Sequence, residues 1–258
     1  IETVVDGIQA STAVGNGGAV EMLAGGSVTV QGPIDTKAQV SANQSTGQGG
    51  DITVRSGDNL TINGQLLARA TTGGRTSGPI SAGRGGNVAL FSGGSITIAG
   101  DPVAIDTRSQ TVVIGPNSQA SAGGDITVIA VRDISIDGRL ISPSLARLGA
   151  TPLPLSGSIA SEAGDIIIQA GGSVDLRSGS TAATPQSILT LSPTRSGNVL
   201  IEAGDNINFI GEDQRSDINA NSILSGEIIF RAGGGINLNL NLDDSGIQTT
   251  GQNITFSA

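Results

Sequence analysis

Short runs of alternating apolar and polar residues, most of them opened by glycines, recur from one end of this chain to the other. Three copies are nearly identical: Gly49-Gly50-Asp51-Ile52-Thr53-Val54, Gly85-Gly86-Asn87-Val88-Ala89-Leu90 and Gly123-Gly124-Asp125-Ile126-Thr127-Val128. Looser copies begin at Gly17-Gly18, Ala163-Gly164, Ser196-Gly197 and Ser225-Gly226, and a last one runs through Asn253-Ile254-Thr255-Phe256. A period of two is the signature of a strand, so Ile52 and Val54 share one face while Thr53 and Arg55 share the other. A second alternating run follows each copy, for example Leu60-Thr61-Ile62 and Ile96-Thr97-Ile98. Turn residues such as Ser56-Gly57-Asp58-Asn59 and Asn63-Gly64 separate the runs, because Gly and Asn bend the chain at little cost.

The type copy, Gly50 to Arg69, therefore reads as three short strands and three turns. Its third strand is Leu66 to Arg69, and the equivalent runs elsewhere begin near Ile8, Ile34, Ile105, Ile141, Ile218 and Ile247. Units of this size at regular positions predict a stacked array. The expected fold is all-β: a right-handed parallel β-helix, or β-solenoid, of about eight triangular coils filling residues 1–258 as one domain. The second glycine of each phrase, ending with the Gln252 position, lies 26 to 40 residues from the next. That spread predicts a constant coil with variable loop insertions after the third strand. Helices are excluded by the consistent alternation and frequent glycine, and a β-sandwich would not need like phrases at corresponding positions. The pattern begins and ends in mid-phrase, as a segment of a longer solenoid would.

Composition narrows the chemistry. The 258 residues include 40 glycines and four phenylalanines but no cysteine, histidine, tryptophan or tyrosine. A Ser-His-Asp triad, a thiol nucleophile and a His-ligated metal are all ruled out. The formal charge of −9 lacks the basic footprint of a nucleic-acid binder, and no apolar run is long enough for a membrane-spanning helix. No cofactor is implied. The adjacent acids Asp243-Asp244 lie in an Asn-rich, turn-like stretch with no indole or phenol ring to stack a sugar, so no enzymatic activity is expected. The polar residues that open the first strands form a column, Asp51, Asn87, Asp125, Asp165, Asn198, Glu227 and Asn253. A calcium roll would need Gly-Gly-x-Gly-x-Asp, which is missing, so these side chains are expected to cap backbone amides instead.

The phrases Gly-Gly-Asp-Ile-Thr-Val and Asn-Leu-Thr-Ile-Asn-Gly resemble the coils of filamentous haemagglutinin-like exoproteins of two-partner secretion. The resemblance runs from about Ile8 to Phe256. It implies a right-handed parallel β-helix exported to the bacterial surface or the extracellular space. Members of that family serve as adhesins, biofilm components and delivery stalks.

The expected function is structural and non-enzymatic: the shaft of a surface exoprotein, or a subunit stacking end to end into an extracellular filament. One alternative is an adhesin or carbohydrate-binding module acting through its insertions on cell-surface glycans or proteins. A β-helical polysaccharide lyase or hydrolase is the other. Expected partners are further copies of the chain, end to end or lateral, or the rest of a longer solenoid. The candidate contact surface is apolar. The outward position of the first strand is Thr53, Ala89 and Thr127 in early copies but Ile167, Leu200 and Ile229 in three later ones. Phe91 and Ile129 form a smaller outward pair. Two leucine-bearing insertions adjoin them in sequence, Ser142 to Gly157 with Leu145, Leu148, Leu153 and Leu155, and Ser180 to Arg195 with Ile188, Leu189 and Leu191. These either fold over the strip or extend it as a contact.

Overall fold

A computed structural model describes residues 2–9, 15–40, 47–75, 81–114, 119–147, 159–160, 162–178, 186–190, 192, 194–211, 217–220, 226–239, 247–249 and 253–258. These residues are all-β, with no helix among them. The strands form four sheets, and every described pairing is parallel. The eight-stranded sheet is built from the Gly-led first strands: Val20–Ala24, Ile52–Ser56, Val88–Ser92, Ile126–Ala130, Ile166–Ala170, Val199–Ala203, Ile228–Ala232 and Ile254–Ser257. They are numbered here as rungs 1 to 8. Each rung lies beside the next with like positions paired, Val20 on Ile52, Ile52 on Val88, and so on to Ile254. At a strand spacing of about 4.8 Å the stack is about 38 Å long.

The second and third strands together make the twelve-stranded sheet. Its main path runs through Ser27–Asp35, Leu60–Asn63, Ile96–Asp106, Ile134–Ile141, Val174–Ser178, Ile207–Gly211 and Ile236–Asn239. The inward aliphatics of both sheets form one core, with Ile52, Val54, Leu60, Ile62, Leu90, Ile96, Ile126, Ile134, Ile166 and Ile207 at most 1% exposed. Like residues stack on like down the columns. The two largest buried side chains, Phe209 and Phe230, lie toward rung 8, where the Phe230 ring stacks on Phe256 at 5.1 Å between centroids.

Close backbone packing explains the paired glycines. A Cβ on the first glycine of the phrase, at Gly49 or Gly85, would lie 2.2 or 1.8 Å from the carbonyl oxygen of Ala68 or Thr107. At the second glycine it would strike the glycine one rung below: Gly86 on Gly50 at 2.2 Å, Gly124 on Gly86 at 2.0 Å. Buried hydroxyls close the same corner. Thr36 and Thr107 donate to the carbonyls of Gly50 and Gly124, both at 2.6 Å, and each accepts that glycine's N–H on its own carbonyl.

The structure differs from the sequence reading in the insertions. Several contain strands and build two further parallel sheets. Ala38–Val40, Ala70–Arg75, Ser109–Ile114 and Ser144–Arg147 leave the corner and form a four-stranded sheet. Ser81–Ala82, Gln119–Ala120 and Ile159–Ala160 return as a three-stranded sheet. The two are stitched into a thin fin by hydroxyl–carbonyl bonds: Ser109 to Gly83 at 2.8 Å, Ser144 to Ser121 at 2.7 Å, and Thr111 to Gln119. Its interior holds small side chains, Ala70, Thr72, Ala82, Thr111, Ala120 and Ser144, all buried. Such a packing carries no aliphatic periodicity, so it reads as loop in the sequence.

Candidate interaction surface

The outward positions of the eight-stranded sheet fall into two columns. The first runs Glu21, Thr53, Ala89, Thr127, Ile167, Leu200, Ile229 and Thr255; the second runs Leu23, Arg55, Phe91, Ile129, Gln169, Glu202, Arg231 and Ser257. The in-register pairing sets Ile167 beside Leu200 and Leu200 beside Ile229. It also sets Phe91 beside Ile129, on the rungs just before them. The two apolar groups meet where Ile129 on rung 4 adjoins Ile167 on rung 5, making one diagonal stripe over rungs 3 to 7. All five side chains are half-buried. Charge flanks the stripe. The Arg55 guanidinium sits 3.9 Å from the centre of the Phe91 ring, an arrangement favoured by the ring's negative face.

On the far side, Gln169 donates to Glu202 at 2.7 Å and Arg231 donates to its other oxygen at 2.6 Å. The Arg231 and Gln169 hydrogen bonds hold the Glu202 carboxyl below its ordinary pKa, with burial opposing them. Because the folded state lowers this pKa, the interaction stabilises the fold above the carboxyl's unfolded pKa and is lost as pH falls through the folded one. Titrating Glu202 by carboxyl NMR should give a midpoint below that of an unstructured glutamate. Replacing Arg231 with glutamine should move that midpoint upward, and an unmoved midpoint would remove Arg231 as the cause.

The remaining sequence candidates are placed differently. Ile188 and Leu189, assigned above to an insertion, are strand residues at 1% and 6% exposure. They pair with Leu140 and Ile141, and Ile188 pairs onward with Ile218, so they supply the third strand of their repeat. Leu140 stands in the column where the sequence reading put Ile141. Leu145 lies in the fin strand Ser144–Arg147 at 7% exposure. These three are packing residues and offer no surface. Leu148, Leu153, Leu155 and Leu191 lie outside the described residues.

The polar column at the start of the rungs is a hydrogen-bonded ladder. Side-chain oxygens of Asp51, Asn87, Asp125, Asp165 and Asn198 each accept the backbone N–H of the equivalent residue one rung on, at 2.7 to 3.0 Å. A second ladder, missed in the sequence, precedes the second strands: Asn59 accepts from Ser95, Asp133 from Ser173 and Asn206 from Gly235, at 2.8 to 2.9 Å. Its signal is the polar residue standing just before five of those strands: Asn59, Ser95, Asp133, Ser173 and Asn206. These side chains satisfy edge amides at the turns, where the sheet ladder cannot. Among the described residues no three His, Cys, Asp or Glu side chains converge as a metal site requires.

A shallow cavity of about 220 Å³ lies at the base of the fin, lined by Arg84, Asp125, Glu162, Asp165, Arg195 and Asn198 among others. Its charges are largely answered internally. Arg84 pairs with Asp125 at 3.1 Å, Arg195 with Glu162 at 3.5 Å, and Asp165 accepts both the backbone and side-chain amides of Asn198. No family model, curated protein or solved structure matches this chain. The surface features themselves therefore carry the functional argument.

Proposed function

We propose that the four sheets are faces and outgrowths of one right-handed parallel β-helix of about eight coils, and that it works without catalysis as a structural shaft. The setting we propose is the bacterial surface or the extracellular space, in an exoprotein of the filamentous haemagglutinin-like kind that the Gly-Gly-Asp-Ile-Thr-Val phrases resemble. The supporting observation is rung-on-rung repetition: each first strand pairs in parallel with its equivalent in the next repeat, across eight rungs. The polar columns beside those strands spend their hydrogen bonds on the next rung, so stacking consumes most of the chemistry the repeat offers. A quasi-one-dimensional protein of this kind gains stability with each added neighbour. Its partners are further rungs, from the same solenoid or from another copy.

In such a shaft the strands lie across the long axis. Oriented native material should then diffract at about 4.8 Å along the axis, and electron micrographs should show rods of constant width. Filaments built end to end from this unit alone would repeat at about 38 Å along the axis. Compact particles, or a strand reflection at right angles to the axis, would sink the proposal.

A further inference from the structure

We infer that the outward face of the eight-stranded sheet is a self-association surface, on which a second copy of this chain packs face to face in a two-fold dimer. The axis runs along the strand of rung 4, Ile126–Ala130. This operation keeps strand direction and reverses rung order, so rung 1 faces rung 7, rung 2 faces rung 6, and rung 3 faces rung 5. Each column faces itself. An isologous contact requires a surface complementary to its own image, and the order of residues on this face meets that condition.

At the axis Thr127 and Ile129 meet their own copies. Beside them Ala89 faces Ile167, a small residue against a large one, and Phe91 comes over Gln169 with Ile167 adjoining. One step further out Arg55 faces Glu202, and the symmetry makes that pair twice. At the rim Glu21 and Leu23 face Ile229 and Arg231, which brings opposite charges diagonally together. It also covers Leu23, which is 78% exposed in the single chain. An axis one rung further on, along rung 5, would instead press Ile129 against Glu202. That would set the Glu202 carboxylate, already held by Gln169 and Arg231, against an apolar side chain and leave Arg55 facing Ser257 with no acid opposite it.

The area suits the arrangement. Seven rungs at about 4.8 Å and five residues at about 3.3 Å cover about 550 Å² per copy. The pair thus buries about 1,100 Å², just past the roughly 1,000 Å² that a specific interface needs. A reversible dimer is expected, with a dissociation constant of about 1–100 µM. Two copies can pair in this way whether or not rungs also continue end to end.

Sedimentation equilibrium of the purified chain should show a mass that rises with concentration and stops at twice the monomer. Changing Ile129 to glutamate, which acts twice at the axis, should weaken the dimer at least about tenfold. The deciding measurement uses Arg55→Glu and Glu202→Arg, with circular dichroism confirming that both fold. Each variant alone should be monomeric, because its dimer sets two like-charge pairs face to face. Mixed in equal amounts they should dimerise again, since both contacts then become Glu against Arg. A wild-type chain that stays monomeric above 100 µM, roughly the upper limit of the expected range, would overturn the inference. So would charge variants that dimerise normally, or a mixture that fails to pair. Growth past two subunits that ignores all three substitutions would also overturn it, and would point to end-to-end stacking instead.

Discussion

Replacing Gly124 with valine is expected to prevent the stack from forming at all. The new Cβ would sit 2.0 Å from the Gly86 carbonyl oxygen and 2.8 Å from that of Gly85, both backbone atoms. Neither side can yield easily. The Gly124 N–H is bonded to the Thr107 carbonyl at 2.8 Å, and its own carbonyl accepts the buried hydroxyls of Thr107 and Ser142. Relieving the clash means opening the parallel pairing of rungs 3 and 4, with the buried Leu90 and Val128 that depend on it. The loss should exceed about 4 kcal/mol, beyond the ordinary range for a point substitution. Gly25 gives the contrast, since a Cβ there meets nothing within 4 Å. Gly25→Ala should change stability by no more than about 1 kcal/mol, with a smaller unfolded-state entropy acting in its favour. Urea unfolding followed by circular dichroism separates the two cases. A Gly124→Val chain with a near-normal midpoint would show that the glycine phrase reflects turn preference rather than close approach.

How much of this was legible follows from which interactions leave a period in the sequence. Ile52, Val54, Leu60 and Ile62 alternate with polar residues because one strand face is buried, so the rungs and the core were readable. The paired glycines were readable as punctuation, but their cause was not. Contact between Gly124 and Gly86 joins residues far apart in sequence, and only the stacking distance makes it tight. The fin was illegible for a different reason. Ala70, Thr72, Ser109, Thr111 and Ser144 are buried yet small or hydroxylic, so the segment looks solvated. The loop reading of Ile188 and Leu189 has a related cause: Ile188 follows its turn glycine, Gly179, at a longer sequence distance than Ile34 follows Gly32 or Leu66 follows Gly64. On the candidate surface, Ile167, Leu200 and Ile229 stood out because they break an outward polar pattern. Their continuity with Phe91 and Ile129 needed the register, since the stripe changes column between rungs 4 and 5.

Removing the Asp106 carboxylate should cost nearly as much as breaking the glycine contact, about 3–5 kcal/mol for Asp106→Ala. Asp106 is 1% exposed at the corner where the twelve-stranded sheet meets the fin. One of its oxygens accepts the Arg108 backbone N–H at 3.2 Å; the other accepts Arg108 at 2.6 Å and Arg69 at 3.1 Å. Burial works against the Arg108 guanidinium, but Asp106 outweighs it through charge and hydrogen bonding, and the Arg108 pKa is raised. Arg139 shows the other side of this balance. Burial and the neighbouring Arg108 lower its pKa, with Asp106 opposing. Without the carboxylate, these arginines would lose the buried counter-charge of Asp106 and repel one another more strongly. Asp35 occupies the equivalent place two repeats earlier and, among the described residues, is paired with Lys37 at 2.8 Å. Asp35→Ala should therefore cost less than half as much. The double variant Asp106→Ala/Arg108→Ala should recover part of the loss, because it removes one of the stranded charges along with its partner. Equal losses at Asp35 and Asp106, or a double variant no better than Asp106→Ala alone, would show that space filling rather than charge sets the cost at this corner.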